Sequence, residues 1–197
     1  AGGTDGNIIS YDASGNPVAI ATGSDGQVLT SAGAGAPPAF EAAAAGGVVV
    51  QVVNVTTGAV ATGTTVLPGD NTIPVKTEGD QYMSLAITPT DASNKLLILI
   101  TAVCGNSAAG ATAFSGALFQ DSTSAALAAS QTQSGGSIYV LNLNFNHYMT
   151  AGTTSATTFK VRLGGGVAGT TTFNGQNGSR LLGGIFPSSI TIMEIAV

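Results

Sequence analysis

Tyr139-Val140-Leu141-Asn142-Leu143-Asn144-Phe145-Asn146-His147-Tyr148-Met149-Thr150 alternates with a period of two. Tyr139, Leu141, Leu143, Phe145, His147 and Met149 fall on one face. Asn142, Asn144 and Asn146 fall on the other. A helix needs a period near 3.6, so this stretch predicts a strand with one buried and one polar face. No segment of the chain sustains a helical period long enough for a major helix.

Working outward, further apolar or alternating runs are expected as strands at 48–55, 59–66, 83–89, 95–104, 113–120, 125–130, 137–150, 156–163, 170–174 and 188–197. Turn clusters separate them: Pro68-Gly69-Asp70-Asn71, Thr90-Asp91-Ala92-Ser93-Asn94, Asp121-Ser122-Thr123 and Asn174-Gly175-Gln176-Asn177-Gly178. Short strands at this spacing predict an all-β head, a β-sandwich of the jelly-roll kind, over 48–197. In the last strand Ile190, Ile192, Glu194 and Ala196 alternate with Thr191, Met193, Ile195 and Val197. Both faces are partly apolar, so that strand is expected to be central or against a subunit contact. Glu194 then needs a partner, and the candidates are Arg162 and Lys160.

A different pattern opens the chain. Gly3-Thr4-Asp5-Gly6-Asn7-Ile8-Ile9-Ser10 returns 20 residues later as Gly23-Ser24-Asp25-Gly26-Gln27-Val28-Leu29-Thr30. Without a gap, Gly15 falls on Gly35, Pro17 on Pro37 and Ile20 on Phe40. Each unit reads as two short strands around a turn. Each carries few large apolar side chains, and such units gain stability by stacking on neighbours or other copies. Residues 1–41 are therefore expected to form a hairpin-repeat stalk. Three chains side by side would share an axis built from Ile8, Ile9, Val28, Leu29 and Phe40. Pro37 and Pro38 cannot donate ladder bonds, so that strand is short or at an edge. Residues 42–47 are expected as an Ala/Gly linker. With Glu41 the run forms a joint, in which the alanines make one helical turn at most before Gly46 and Gly47 end it.

Composition narrows the function. Charged residues are 8% of the chain, against roughly 25% in ordinary globular domains. A surface kept soluble by Thr, Ser, Asn, Gln and Gly suits lateral packing, because little charge has to be desolvated. The net charge is −5, with five scattered basic residues. Nucleic-acid binding needs a clustered basic footprint, and a polybasic membrane contact needs the same, so neither is expected. No run reaches the length of a membrane span. The chain begins at Ala1 with neither an initiator Met nor a signal peptide, which points to a portion of something longer.

Candidate chemistry is sparse. Cys104 is the only cysteine and His147 the only histidine. Cys104 sits in an apolar run and reads as a small buried hydrophobe. His147 reads as a packed core or interface histidine. A ring of three symmetry copies around a metal, or a general base, are the sharper alternatives. A Cys/His metal site within one chain is excluded, and no metal or cofactor is expected. Asp5-Gly6 and Asp25-Gly26 read as turns. Glu78 and Asp80 are close enough to suggest a paired-acid hydrolase, but a solvated loop is the simpler reading. Gly164-Gly165-Gly166 and 175–184 lack the phosphate-loop pattern and are expected as turns. One binding surface stands out: Asn174, Gln176, Asn177 and Arg180 in an amide-rich loop suited to weak, multivalent contacts with sugars or protein loops. No catalytic residue is assigned.

Gly23 to Phe40 resembles a motif of tailed-phage fibre and appendage proteins, in which Gly-Thr/Ser-Asp-Gly-Gln-Val-Leu-Thr-Ser is followed by Gly-Ala-Gly-Ala-Pro-Pro and an aromatic. The C-terminal part is similar to the jelly-roll heads of phage fibres. The stretches that carry this are Ala117-Leu118-Phe119-Gln120-Asp121, His147-Tyr148-Met149, Thr157-Thr158-Phe159-Lys160-Val161-Arg162 and Ser189-Ile190-Thr191-Ile192-Met193-Glu194-Ile195. The resemblance implies a homotrimer in a virion, a shaft-like N-terminal region, a distal head that meets a host surface glycan or protein, and other virion proteins as partners. It transfers no catalytic residue. Rival readings are a capsid decoration or head fibre of the same fold, a fibre-borne polysaccharide depolymerase and a bacterial surface filament subunit.

Overall fold

The computed structural model describes residues 6–43, 46–108, 113–133, 135 and 139–197. Residues 3–5 of the first repeat, 44–45 of the expected joint and 137–138 of the expected strand 137–150 lie outside the described residues. The chain divides into two compact units, Ala1–Ala45 and Gly46–Val197.

The first unit holds two antiparallel hairpins. β1 (Ile8–Tyr11) pairs with β2 (Pro17–Ile20), and β3 (Gln27–Thr30) with β4 (Ala39–Ala42). The repeat is a backbone repeat: Gly6 and Gly26 sit at φ 86° and 83°, Gly15 and Gly35 at 80° and 83°. Only glycine adopts that region without strain, which is why these residues recur. In the first turn the Asp12 carboxylate accepts the N–H groups of Ser14 and Asn16, each at 2.8 Å. The Asn16 bonds foremost hold that carboxyl below its ordinary value.

The second hairpin is not a copy of the first. Ile8 faces Ile20, yet Phe40 faces Leu29, with Val28 opposite Glu41. Pro37 and Pro38 have no N–H to give, so the strand starts at Ala39 and the pairing slips by one residue. Glu41 and Ala42, expected in the joint, are strand residues instead. No residue of this unit is buried among those described.

The second unit is a β-sandwich. Its strands are β5 (Val49–Thr57), β6 (Ala61–Gly63), β7 (Asp80–Ile87), β8 (Lys95–Asn106), β9 (Ala113–Gln120), β10 (Ala128–Gln133), β11 (Tyr139–Thr150), β12 (Thr157–Gly165), β13 (Thr171–Phe173), β14 (Gly175–Gln176), β15 (Ser179–Arg180) and β16 (Ser188–Ile195). One sheet runs β5-β16-β8-β13-β6, with β11 on the other side of β8; the second runs β10-β9-β12-β7. The long strands pair β5 with β16, β7 with β12, β8 with β11 and β9 with β10, all antiparallel. These pairs nest one inside the next, as if one long hairpin had been rolled up. That is the connectivity of a jelly roll.

The core lies between the sheets. Met83 and Ile87 of β7, Leu96, Ile98 and Ile100 of β8, Phe114 and Leu118 of β9, Leu143 of β11, Phe159, Val161 and Leu163 of β12, and Ile190 and Ile192 of β16 form one buried cluster. Tyr82 stacks on Phe173 at 5.0 Å. β11 alternates as read, with Leu141, Leu143, Phe145, His147 and Met149 inward and Asn142, Asn144, Asn146 and Tyr148 outward.

Three expectations are corrected. Strand 59–66 shrinks to Ala61–Gly63, because Asp80 captures Thr65 through its N–H (2.9 Å) and hydroxyl (2.7 Å) and turns the chain outward. The following segment brings Leu67 over the outer face of β9, where it meets Ala117 and Phe119. Strand 125–130 shifts to Ala128–Gln133, since Ala125 is held by a lone bridge to Val75. Gly164 and Gly165, expected in a turn, end β12 opposite Ser115 and Phe114. A Cβ on Gly164 would lie 2.7 Å from Thr65 O, so glycine there is a packing requirement of the Leu67 segment.

Candidate functional site

The amide-rich segment folds as a small hairpin. β14 and β15 are joined by Asn177-Gly178, at φ 49° and 75°. Positive φ at both central residues suits a type I′ turn, the reason Asn-Gly occupies it. Asn177 and Arg180 are exposed and Gln176 is half-buried.

Asn174 does not belong with them. It is buried, and its Nδ2 donates to Thr57 O (2.7 Å) and Ala59 O (3.0 Å). Its Oδ1 accepts the Ser188 hydroxyl (2.6 Å), and Ser188 Oγ in turn accepts the Val103 N–H (2.8 Å). The Asn174 N–H donates to Val103 O. Asn174 therefore ties the end of β5 to β8 and β16. Its φ of 52° turns the chain inward, where the sequence suggested an outward loop. The accessible part of the expected binding loop is Gln176, Asn177 and Arg180.

Glu194 is also corrected. It is fully buried, but neither Arg162 nor Lys160 meets it. Arg162 donates to the carbonyls of Glu78 and Gly79, and Lys160 to that of Asp121. The carboxylate is held by neutral donors. Oε1 accepts the Thr90 N–H (2.8 Å) and hydroxyl (2.7 Å), Asn94 Nδ2 (2.7 Å) and the Asp91 N–H (3.3 Å). Oε2 accepts Gln51 Nε2 (3.0 Å). Burial alone raises its pKa; the bonds from Asn94, Thr90 and Asp91 outweigh that and bring it below the ordinary value. The group clasps the β7–β8 turn onto β5 and β16.

The remaining chemical candidates are placed as follows. Cys104 is buried in the core, and that burial pushes its thiol far above the ordinary range. His147 is half-buried on the inward face of β11, between Phe145 and Met149. Glu78 Oε2 accepts the Val75 N–H (2.9 Å), while Asp80 holds Thr65. Each of these carboxylates braces the 64–79 segment. Among the described residues no group of three or more His, Cys, Asp and Glu side chains converges to hold a metal ion.

The stalk residues are accessible. Ile9 is 72% exposed, Ile8, Val28 and Leu29 are exposed, and Phe40 is half-buried. A second apolar surface was missed from sequence. On the outer face of the β5-β16-β8-β11 layers, the registers place Val52, Met193, Leu97 and Tyr148 in one cross-strand row. Val52 and Tyr148 at its ends are both exposed. The signal was available in β11, whose Asn-bearing face also carries Tyr148.

No protein-family model and no curated protein matches the sequence. Among solved structures the chain is similar to the Eiger TNF of S. frugiperda, at 10% identity over 74% of this chain and 93% of that one, with a TM-score of 0.41. It is also similar to the VP2 subviral particle of infectious bursal disease virus, at 14% identity over 92% of this chain and 46% of that one, with a TM-score of 0.32. T=1 particles derived from the same virus give 15% identity over 92% and 42%, with a TM-score of 0.34. The chain thus spans less than half of these viral chains.

Proposed function

We propose that this chain is a non-enzymatic structural component of a virion, an appendage of the tailed-phage fibre type. It works as a homotrimer on the extracellular particle, alongside other virion proteins. The hairpin unit is the assembly element, and the β-sandwich unit is the head that contacts the host surface.

One observation carries the reading. The hairpin unit has two hairpins and, among residues 6–43, no buried side chain. Isolated hairpins are marginal in water, and a unit without a core does not hold itself together. Its apolar positions, Ile8, Ile9, Val28, Leu29 and Phe40, need cover, and identical strands of further copies supply it in register. The charge-poor surface adds little desolvation cost when copies meet. The Gly23–Phe40 motif supports placing such an assembly on a phage particle.

The test is labelling of intact particles with an antibody raised against the β-sandwich unit. Label at the tail tip is the expected result. Label over the shell moves the protein to the capsid-decoration reading. Particles that carry no label at all contradict a virion role.

A further inference from the structure

β10 is an edge strand, and a groove runs beside it. At its foot Ala126 N–H donates to Pro74 O (2.9 Å) and Val75 bridges Ala125. Above that point the segment 68–74 returns to the strand at Gly69, which abuts the Gln131 amide, itself bonded to Ser115 Oγ at 3.2 Å. Two adjoining hollows of about 280 and 440 Å³ open there, sharing Asp70, Thr72, Pro74 and Ala129. Among the described residues β10 pairs only with β9, so the backbone of its far edge keeps donors and acceptors to offer.

We propose that this groove binds a neutral glycan. The inference rests on the host-contact reading above and gives that contact a place and a ligand class. Its lining holds no Lys, Arg or His. Asp70 supplies a carboxylate, and both its bonds to Thr72, from the N–H (2.8 Å) and the hydroxyl (2.5 Å), fall on Oδ1. Oδ2 has no partner among the described residues. A carboxylate oxygen fixed in this way accepts from adjacent sugar hydroxyls, while it repels sialic, uronic or phosphorylated sugars, as does the chain's net charge of −5. Hydroxyl and amide groups of Thr72, Ser130 and Asn71 supply both donors and acceptors. Pro74, Ala129 and the exposed Ile73 offer apolar surface to the C–H face of a sugar ring. No aromatic lines the groove, so each site binds weakly and several copies on one particle multiply the effect. An extended peptide added to the β10 edge is disfavoured, because the lining provides no deep apolar pocket to seat an anchoring side chain.

Saturation-transfer NMR on the full chain tests this. The probes are the methyl glycosides of glucose, galactose, mannose and N-acetylglucosamine, with N-acetylneuraminic acid and a valine-rich decapeptide as comparisons. The expected result is transfer to at least one neutral glycoside and none to the acid. Asp70→Asn and Ala129→Tyr each reduce binding by about tenfold. Ala129 is exposed on a strand, so its tyrosine variant keeps the fold and blocks the groove. Thr154→Ala, at an exposed residue outside the groove lining, leaves binding intact. Transfer to none of the neutral glycosides overturns the proposal, as does transfer that survives both groove variants or goes to the acid or the peptide. Failure here leaves the particle-labelling result untouched, so the two readings fall separately.

Discussion

Glu194→Ala is expected to destabilise the β-sandwich unit by about 4 kcal/mol, lowering its melting temperature by about 10 °C. The loss does not come from the methylene groups. Truncation strands the amides of Gln51 and Asn94, the Thr90 hydroxyl and the N–H groups of Thr90 and Asp91 around one buried point. Glu194→Gln is milder, but its NH2 group meets donors and cannot satisfy them. The same residue makes a pH prediction. Its folded pKa lies below the ordinary value of 4.5. Its stabilising contribution is therefore fully present above the unfolded carboxyl pKa and is lost as pH falls through the lower, folded one. Thermal melts from pH 7 down to pH 3 should fall more steeply for the natural chain than for Glu194→Gln. Parallel curves for the two would show that the carboxylate is not what holds the turn.

Asn174→Ala is expected to cost about 3 kcal/mol, measured by denaturant unfolding. Two causes combine. The carbonyls of Thr57 and Ala59 lose their shared donor and Ser188 loses its acceptor. Alanine also fits poorly at a φ of 52°. Asn174→Gly separates them, because glycine accepts that φ freely. The expected outcome is that glycine recovers only the smaller part of the loss. Full recovery with glycine would make backbone conformation the cause and the buried amide incidental.

These two residues also mark where sequence reading stops. The alternation of β11 and the limits of β9 were legible because they are local: the period of two already states which side chains share a face. The nesting of β5 with β16 and β7 with β12 was not, because each pairing spans most of the unit. Glu194 reads as a polar group in need of a partner, and an acid on its own suggests a basic one. Four of the five bonds it accepts come from a turn some hundred residues earlier and the fifth from Gln51 on β5, and nothing in the neighbourhood of these donors announces them. Asn174 stood in a run whose turn propensity is real, but the turn is Asn177-Gly178, and Asn174 points the other way. In the hairpin repeats the prolines were read as edge signals. Their further effect, the one-residue slip that sets Phe40 opposite Leu29, depends on a register the repeat itself does not encode. The row Val52, Met193, Leu97 and Tyr148 comes from four strands and exists only once they are paired.

The account depends most on the hairpin unit needing other copies. The direct test is static light scattering on the intact chain at micromolar concentration, set beside an Ile9→Lys, Leu29→Lys variant. Both substituted residues are exposed in the single chain, so their replacement buries no charge within it. The prediction is a mass of three 19.2 kDa chains for the natural protein, lost or markedly weakened in the variant. A natural chain that runs as a single 19.2 kDa monomer contradicts it.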